Sequence, residues 1–362
     1  MMNQFKLFNP GKNLKKIEIK SKPKLKYSKI VINFPGRIHI TPIDCNRFEF
    51  GKPGGGGMGF AINLNNILKI NLAEEMKIKL NCKKFMPIIL HYFKLLKEIF
   101  EFEECFNIDL CVSNLLRQHF GLGSSISVGT SIIYGINYIF DSPLTLNDIR
   151  QLVGNNFVEE YDDKLSKGLE TGVGSAVVLK GGFSLIANDL IEIFHTNVFR
   201  GKTVIIIDPK VGRKDIDKTE SMEMLNRSVF LDKSYSYIKS YDLLMDIIPA
   251  IYQNNLKKFG DYVWNMQFSG THLSMIQSYE NFGCKIYGIL SFLKSQGILI
   301  CGLSSVGPTI FALDEESKIN KTLLKLSKTF NKNIDVHILK VNSSGIRIIN
   351  RTIYKGDSIP LK

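Results

Sequence analysis

The stretch "HFGLGSSISVG", His119 to Gly129, sets the interpretation of the whole sequence. It follows "FNIDLCVS", a segment of strand character, and leads into an apolar run of helical length, so a helix with Ser124 or Ser125 as N-cap is predicted. Gly121 and Gly123 allow a tight turn, and the first amides of such a helix stabilise an anion. The pattern predicts a phosphate-binding loop, although a plain glycine turn would give the same letters. No lysine follows the glycines, which disfavours the loop of nucleotide triphosphatases.

Composition indicates a globular chain that is basic mainly at one end. The 362 residues are 44% hydrophobic, which is enough for one large domain or two ordinary ones. Nine lysines and a single acid in the first 29 residues supply +8 of the formal charge of +13. Because this leader lacks arginine and aromatic interleaving, we expect a solvated extension over residues 1–28, and a nucleic-acid partner is disfavoured.

The cysteine spacing and the hydropathy pattern bear on the cellular compartment of the protein. The six cysteines are scattered without a C-x-x-C pair, and no apolar run approaches eighteen residues. This pattern is typical of a reducing compartment without structural zinc, and it gives no sign of a membrane segment or secretory signal. We therefore expect a cytoplasmic protein.

The order of elements predicts an α+β protein with two domains. Strand patterns dominate up to about residue 200, and long helical patterns follow at 217–231, 240–258 and 261–279. The boundary gives a first domain over 29–200, with the glycine loop, and a second over 201–362. Within the first, "SKIVINFPGRIHITPI" reads as a strand broken at Pro35 and Gly36, and "SAVVLKGGFSLIA" as a hairpin.

A second candidate site lies in "PGRIHITPID" and the glycine-rich segment after it. Arg37 and His39 are two apart on a strand and project from one face, and Asp44 follows a bend. Arginine holds a phosphate or carboxylate through two bonds, and histidine titrates near neutrality. The neighbouring glycines predict a lid whose backbone wraps an anion, although a floppy loop is the alternative: Gly55, Gly56 and Gly57.

A third glycine-serine turn lies between two buried strands in "CGLSSVGPTIFAL". Ser304, Ser305 and Gly307 can donate hydroxyl and amide hydrogen bonds into a cleft there. A simple β-turn would look the same. Three such turns at strand ends, one preceded by arginine and histidine, together indicate an anion site.

These three segments in this order resemble the GHMP kinase superfamily. The resemblance implies a first domain like the second domain of ribosomal protein S5 and a ferredoxin-like second domain. Within the superfamily the sequence is most similar to the beta-ribofuranosylaminobenzene 5'-phosphate synthase family of methanopterin biosynthesis. The similarity spans about residues 31–313 and lies in "PGRIHITPIDCN", "GKPGGGGMGFAI", "HFGLGSS", "TGVG" with "GGF", "IPAI" with "FGDYVWNMQ", and "SSVGPTIFA".

One position favours the synthase over a kinase. Many small-molecule kinases of the superfamily have an aspartate in a motif like S-G-x-D just before a G-G turn. The corresponding run here is "TGVGSAVVLKGG", with Gly174 in place of that aspartate, and the synthase family also has glycine there. Thr171 and Gly172 complete the motif and are expected to bind substrate. A glycine side chain cannot take a proton, so different chemistry on the same scaffold is favoured.

The resemblance implies condensation of phosphoribosyl pyrophosphate with 4-aminobenzoate or a similar para-substituted benzoate, releasing CO2 and pyrophosphate. It further implies Mg²⁺ and, as a possibility, a homodimer. We expect Arg37 to hold the carboxylate, Asp44 to face the developing ribosyl cation, and His39 or His119 to transfer a proton at the ring. The expected substrate and phosphate ligands are Lys52, Gly55, Gly56, Gly57, Gly121, Gly123, Ser124, Ser125, Thr171, Gly172, Gly174, Ser304, Ser305 and Gly307.

Several positions depart from the synthase pattern and indicate a paralogue with altered specificity. Lysine or threonine stands where the family has arginine, valine replaces a common tryptophan, and amides replace acids: Lys52, Lys167, Thr171, Val306, Gln253 and Asn255. Lysine keeps the charge but loses the two-pronged geometry of arginine. An ATP-dependent kinase with Asp162 or Asp163 as base is the runner-up, and an RNA-associated protein is a minor alternative.

Overall fold

The computed structural model describes residues 15–19, 22–161, 164–210, 218–279, 282–330 and 333–355, with the side chains of 218–225 left out. Asp162 and Asp163 lie outside the described residues. The strands are β1 Tyr27–Pro42, β2 Gly57–Ala73, β3 Ile78–Leu80, β4 Cys105–Cys111, β5 Val158–Tyr161, β6 Lys164–Lys167, β7 Phe183–Ile186, β8 Glu192–Thr196, β9 Thr203–Asp208, β10 Ile300–Leu303, β11 Ile310–Asp314, β12 Asp335–Lys340 and β13 Arg347–Ile353.

The helices alternate with these strands in the first half and form a long block in the second. They are α1 Met86–Phe100, α2 Ser124–Ile139, α3 Leu146–Asn155, α4 Val173–Lys180, α5 Lys218–Asp242, α6 Ile248–Tyr252, α7 Leu256–Met266, α8 Gly270–Gln277, α9 Gly283–Ser295 and α10 Glu316–Phe330. A π-helical turn, Leu243–Ile247, joins α5 to α6. No described helix is long and apolar enough to cross a membrane.

The first sheet is organised around the long strand β2. On one side β2 pairs with β1 over most of its length, and on the other it pairs first with β7 and then with β4. The strand order is β13-β1-β2-β4-β3, and β8 extends the sheet beyond β7. Alternate residues of β1 and β2 are buried in one large core with the apolar faces of α1 and α2.

The last strand crosses back into the first sheet. β13 pairs antiparallel with β1, with Ile32 opposite Ile348. The range 201–362 predicted for the second domain therefore contains a strand of the first sheet. The sequence "GIRIIN" is typical of a strand, but its pattern does not indicate which strand it pairs with.

The second sheet has ferredoxin-like order. Its four antiparallel strands run β10-β11-β9-β12, and the chain connects them as strand, helices, strand, strand, helix, strand. Ile205 and Ile207 face a core with α8, α9 and α10, whereas Val204 and Ile206 face the core of the first sheet. Burial on both faces explains why "TVIIID" is continuously apolar rather than alternating.

Two elements differ from the prediction. β1 is continuous, because a register shift between Phe34 and Gly36 absorbs the proline within the strand instead of breaking it. "SAVVLK" belongs to helix α4, which ends at Lys180, and is not a hairpin arm; only "FSLI" after the two glycines is a strand. An apolar run of this length is ambiguous between a buried helix and a strand, and packing against α2 and the first sheet decides it.

The described part of the N-terminal extension contacts the body of the protein. The Lys15 amide donates to Asn156 Oδ1 at 2.8 Å, and Lys16 forms an ion pair with Glu98. Ile17 and Ile19 pack against the main core. The prediction of a fully solvated extension is therefore wrong for these residues, because their apolar side chains alternate with the lysines and find a partner surface.

We predict that Gly129→Ala destabilises the protein and that Gly288→Ala does not. A Cβ at Gly129 in α2 would lie 2.3 Å from the buried Tyr92 ring, whereas one at Gly288 in α9 meets nothing within 4 Å. Overpacking costs about 1–3 kcal/mol, and alanine in an open helical position gains about 0.5–1 kcal/mol. Thermal and denaturant unfolding measure both. Equal effects of the two substitutions would contradict the packing described for α1 and α2.

Candidate active site

A cavity of about 170 Å³ lies where the first sheet, the β5-β6 hairpin and helices α5 and α8 meet. Strand β1 contributes Arg37 and His39, and the turn between β10 and β11 contributes Ser305. The remaining walls carry aromatic and acidic side chains that the sequence analysis did not select: Phe48, Phe50, Phe157, Glu159, Tyr161 and Glu170. The cavity thus combines one enclosed cation with carboxylates and aromatic rings.

Arg37 is held from behind by the glycine loop. Its amide donates to Leu122 O at 3.1 Å, and its guanidinium Nη1 donates to Gly121 O at 3.2 Å. A Cβ at Gly123 would lie 2.7 Å from the arginine side chain, so only glycine leaves room there. Burial lowers the pKa of Arg37 to about 10, although Glu170 and Glu159 act against this. The guanidinium is still a cation at neutral pH.

Glu170 is the main acidic group of the cavity. Its Oε1 accepts a 2.7 Å hydrogen bond from the Gly172 amide, and its side chain is buried. Burial raises the pKa of the Glu170 carboxyl to about 7, against the opposing influence of Arg37 and of the Gly172 hydrogen bond. A carboxyl group that titrates near neutrality inside a cavity marks a functional site.

His39 is neutral and hydrogen-bonded to the motif that contains Gly174. Its Nε2 lies 3.1 Å from Thr171 Oγ1, and burial holds the pKa of the ring well below its ordinary value, with Arg37 and His272 adding to the effect. The Nδ1 atom is buried without a partner among the described residues. His39 therefore lines the cavity as a neutral side chain.

Tyr161, His119 and three phenylalanines give the cavity aromatic walls. The His119 and Tyr161 rings stack with centroids 4.7 Å apart, and Tyr161 donates a hydrogen bond to Glu159 at 2.8 Å. Phe48 and Phe50 come from the segment after β1, and Phe157 precedes β5. A flat apolar ligand can be enclosed between such rings and shielded from water.

The phosphate loop has the predicted strand-turn-helix order. α2 begins at Ser124, and its N-cap is Gly123 rather than either serine. The first helical hydrogen bond is from the Ser127 amide to Gly123 O, so within the described part of the chain the amides of Ser124 and Ser125 have no protein acceptor. These open amides lie directly beyond Arg37, behind the lining of the cavity.

The serine turn fixes the phosphate loop instead of facing the ligand at every position. Ser304 Oγ donates to Gly121 O at 2.7 Å and accepts from the His39 amide at 3.3 Å. The Ser305 amide donates to His39 O at 2.9 Å, and Ser305 lines the cavity. The Gly307 amide closes the turn onto Ser304 O. Ser304 thus connects the two predicted segments.

The predicted acid Asp44 and the predicted cation Lys52 lie outside the cavity lining. Asp44 caps the short 3-10 turn Cys45–Arg47, accepts from the Asn46 amide at 3.0 Å and pairs with Arg47. Lys52 pairs with Glu49 on the surface. Capping satisfies the Asp44 carboxylate locally, so the structure does not bring it to the site.

The glycine lid is tied to the protein. The Gly54 amide donates to Glu170 O at 2.9 Å, and the Gly55 amide donates to Asn188 Oδ1 at 3.1 Å. Gly55 O and Gly56 O accept from the amides of Asp44 and Ile43, and Gly57 begins β2. The amides of Gly54 and Gly55 already have acceptors within the protein and are not free to bind an anion. Anion binding by the rest of this loop stays a prediction.

Gly174 lines the cavity at the start of α4, and Gly172 is the N-cap of that helix. A Cβ at Gly174 would lie 2.7 Å from the Ile126 side chain of α2. Any larger residue would therefore displace the neighbouring helix. The close packing of α2 and α4 therefore accounts for the absence of an aspartate at this position.

A buried ion pair fixes the wall that contains Phe48 and Phe50. Lys239 Nζ on α5 lies 2.7 Å from Asp232 Oδ1 and donates to Pro42 O at 3.1 Å. Asp232 Oδ2 accepts from the Cys45 amide at 2.9 Å, and both charged side chains are buried. The pair joins α5 to the end of β1, and Cys45 and Ser228 beside it also line the cavity.

Sequence reasoning missed Glu170 and Glu159 because neither belongs to a motif that was selected. "VEEYDDKLSKG" is a hairpin formed by β5 and β6. In a strand, alternate residues face opposite sides, so Glu159 and Tyr161 point one way and Glu160 the other. The usable signal was Glu170, a lone acid directly before the T-G-V-G motif.

The strand order of the two sheets and the loop at the start of α2 define the fold of GHMP kinases. A homoserine kinase from Cytophaga hutchinsonii matches with a TM-score of 0.57 and 18% identity, covering 89% of this chain and 98% of that one. Galactokinase from Lactococcus lactis, solved with galactose, matches with a TM-score of 0.61 and 15% identity, covering 88% and 95%. The α+β prediction is confirmed. No family model matches the chain.

Curated relatives confirm the resemblance to the synthases. The chain is 21% identical over 349 residues to beta-ribofuranosylphenol 5'-phosphate synthase of Methanocaldococcus jannaschii, covering 88% of this chain and 100% of the relative. The synthase of Methanothermobacter thermautotrophicus is 22% identical, with 80% and 90% covered. Homoserine kinase of Buchnera aphidicola is 26% identical over 314 residues, with 81% and 96% covered. These relatives are named as enzymes, two as synthases and one as a kinase.

We predict that Lys239→Met destabilises the protein strongly and that Asp232→Asn in the same chain restores part of the loss. Removing one partner leaves a buried charge and costs about 3–5 kcal/mol, while the asparagine oxygen still accepts from Cys45. Lys294→Met, which breaks the exposed pair with Asp261, is the control and should cost about 0–1 kcal/mol. Denaturant unfolding compares them. If Lys239→Met and Lys294→Met lowered the free energy of unfolding equally, the structural role of the buried pair would be contradicted.

Proposed function

We propose that this protein is a decarboxylating phosphoribosyltransferase that joins phosphoribosyl pyrophosphate to a para-substituted benzoate such as 4-aminobenzoate or 4-hydroxybenzoate. The products are a C-riboside 5'-phosphate, CO2 and pyrophosphate. The proposal is supported by the two synthase relatives and by one feature of the site, an arginine cation enclosed among aromatic side chains. A flat aromatic carboxylate is the ligand that such walls fit.

Arg37 orients the ring in this proposal. Its guanidinium holds the benzoate carboxylate, which places the adjacent ring carbon toward the sugar, while Phe48, Phe50 and Phe157 exclude water. That ring carbon forms a bond to ribose C1' as the bond from C1' to pyrophosphate breaks. The ring then loses the carboxylate as CO2, and the electron pair of that bond restores aromaticity.

The open amides at the start of α2 receive the leaving pyrophosphate. Ser124 and Ser125 offer backbone donors and the positive end of the helix dipole, and they lie beyond Arg37, outside the cavity lining. Stabilising the charge that develops on the leaving group lowers the barrier to its departure. This assigns the loop a phosphate ligand without requiring ATP.

Mg²⁺ is proposed to accompany the substrate. The described residues contain no group of three His, Cys, Asp or Glu side chains that could hold a metal ion. Mg²⁺ usually keeps several waters and substrate phosphate oxygens as ligands, so pyrophosphate can bring it. We assign it no protein ligand.

An ATP-dependent small-molecule kinase is the second candidate. The 26% identity to a homoserine kinase over most of both chains favours it. Gly174 argues against it, since no proton acceptor occupies that position and the Ile126 side chain fills the adjacent space. ADP formation from ATP with homoserine or other hydroxyl acceptors would support the kinase.

We expect the purified protein with Mg²⁺, phosphoribosyl pyrophosphate and carboxyl-labelled 4-aminobenzoate or 4-hydroxybenzoate to release CO2. Arg37→Ala should raise the KM for the benzoate about 10- to 100-fold, because a charge-assisted hydrogen bond contributes about 1.5–3 kcal/mol. Arg47→Ala is the control, since Arg47 lies on the surface outside the cavity. No CO2 from either acid would contradict the proposal, and unchanged kinetics of Arg37→Ala would contradict the role of Arg37.

His39→Ala and His119→Asn test which histidine exchanges a proton with the para substituent or the leaving pyrophosphate, since the ring itself neither gains nor loses a proton in this reaction. His39 has a buried Nδ1 without a partner, whereas His119 Nε2 lies 3.3 Å from Glu160 O. We therefore expect His39→Ala to lower kcat about 100-fold or more and His119→Asn to lower it less. Single-turnover rates of CO2 release measure this. A normal rate for His39→Ala would exclude it from proton transfer.

A further inference from the structure

Arg37 and Glu170 share one cavity without forming a direct ion pair. Both line the same space, yet no carboxylate of the described residues lies within 4.0 Å of the Arg37 nitrogen atoms. Arg37 Nε is buried and has no hydrogen-bond partner among the described residues. Glu170 is fixed through Oε1 by the Gly172 amide. Because both side chains line the cavity and do not pair with each other, the space between them is open to a ligand group.

A ligand carboxylate that binds Arg37 must then lie close to the Glu170 carboxyl. Two ionised carboxylates cannot occupy one enclosed site without strong repulsion, so such pairs hold a proton between them. The Glu170 group is suited to this, since burial already brings its titration close to neutrality. The same proton allows Glu170 to donate a hydrogen bond to the ligand.

We propose that Glu170 is a specificity-determining residue that binds the ligand carboxylate together with Arg37 and takes up a proton when that carboxylate binds. The inference rests on the proposed function only for the class of ligand, an aromatic carboxylate. It gives Glu170 a role that the sequence analysis did not consider. It also explains how an acid can stand in a cavity that accepts an anion.

The other charged and titratable groups around Glu170 do not replace it in this role. Arg37 on β1 and Arg150 on α3 favour its ionised form, and Glu159 on β5 disfavours it. His39 on β1 is held neutral by burial. The remaining titratable groups that line the cavity are His119, Tyr161 and Cys45, of which Cys45 has its pKa raised to about 12 by burial. Of these, His119 is tested below by its own variant.

The experiment is isothermal titration of the full chain with 4-aminobenzoate and with its neutral isostere 4-aminobenzamide. Titrations at one pH in HEPES and in Tris, which differ in ionisation enthalpy, give the number of protons taken up. At about pH 8 we expect the carboxylate to take up close to one proton and the amide none. Below about pH 7 Glu170 is already protonated, so the affinity is full there and falls about tenfold per pH unit above it.

Glu170→Gln should raise the affinity for 4-aminobenzoate at alkaline pH, and a substitution of a merely structural residue would not do so. The amide cannot ionise, so its affinity for 4-aminobenzoate should be the same at about pH 6 and pH 8.5, and roughly tenfold or more above that of the unaltered protein at pH 8.5. Glu192→Gln, a carboxylate outside the cavity, should keep the pH dependence. His119→Asn should keep it as well.

The outcomes separate this inference from the proposed function. Binding without proton uptake and with a flat pH profile overturns the role of Glu170, whatever CO2 assays show. Loss of the pH dependence in His119→Asn overturns it as well. Proton uptake without CO2 release supports the role of Glu170 and contradicts the proposed synthase reaction. Absence of both binding and CO2 release contradicts the role of Glu170 and the proposed reaction together. If Glu170→Gln does not fold, the titrations of the unaltered protein still decide.

Discussion

The enclosure of the Arg37 guanidinium is the constraint on which the site depends. A cation inside a protein needs acceptors and compensating charge, and the chain supplies them from segments far apart in sequence. Gly121 O accepts from the guanidinium, and Glu170 and Glu159 provide negative potential. Because Ser304 Oγ also donates to Gly121 O, the glycine loop before α2 and the serine turn are both fixed at this side chain.

The two sheets are joined in a way that makes the cavity wall rigid. β13 returns to the first sheet, and the second sheet buries one face against the core of the first. The Asp232 and Lys239 pair then connects α5 to the segment after β1. Residues that face the ligand therefore come from elements with little freedom to move relative to one another, which is the condition for a preorganised site.

The same fold carries out kinase and synthase chemistry, so the fold alone does not decide the reaction. What distinguishes this chain is local. Ile126 fills the space beside Gly174, where many kinases have an aspartate, and aromatic rings with a protonatable Glu170 line the cavity instead. Both features are the basis for proposing a flat anionic acceptor instead of a flexible alcohol.

The sequence by itself determined the segments that build the site. Glycine spacing before an apolar helix, R-x-H on a strand and a glycine-serine turn each reflect local backbone geometry, and these were predicted correctly as elements. Arg37 and His39 do share a face of β1 and line one cavity. Local patterns were sufficient here because turns, caps and strand alternation depend on neighbouring residues.

Only the tertiary structure decided which side chains meet. Asp44 caps a local turn, whereas Glu170 and Glu159, which no selected motif contains, line the same cavity as Arg37. The partner of β13 and the helical state of "SAVVLK" were likewise set by packing. Titration near neutrality is a property of burial and of charges distant in sequence, so no pattern of letters around Glu170 contains it.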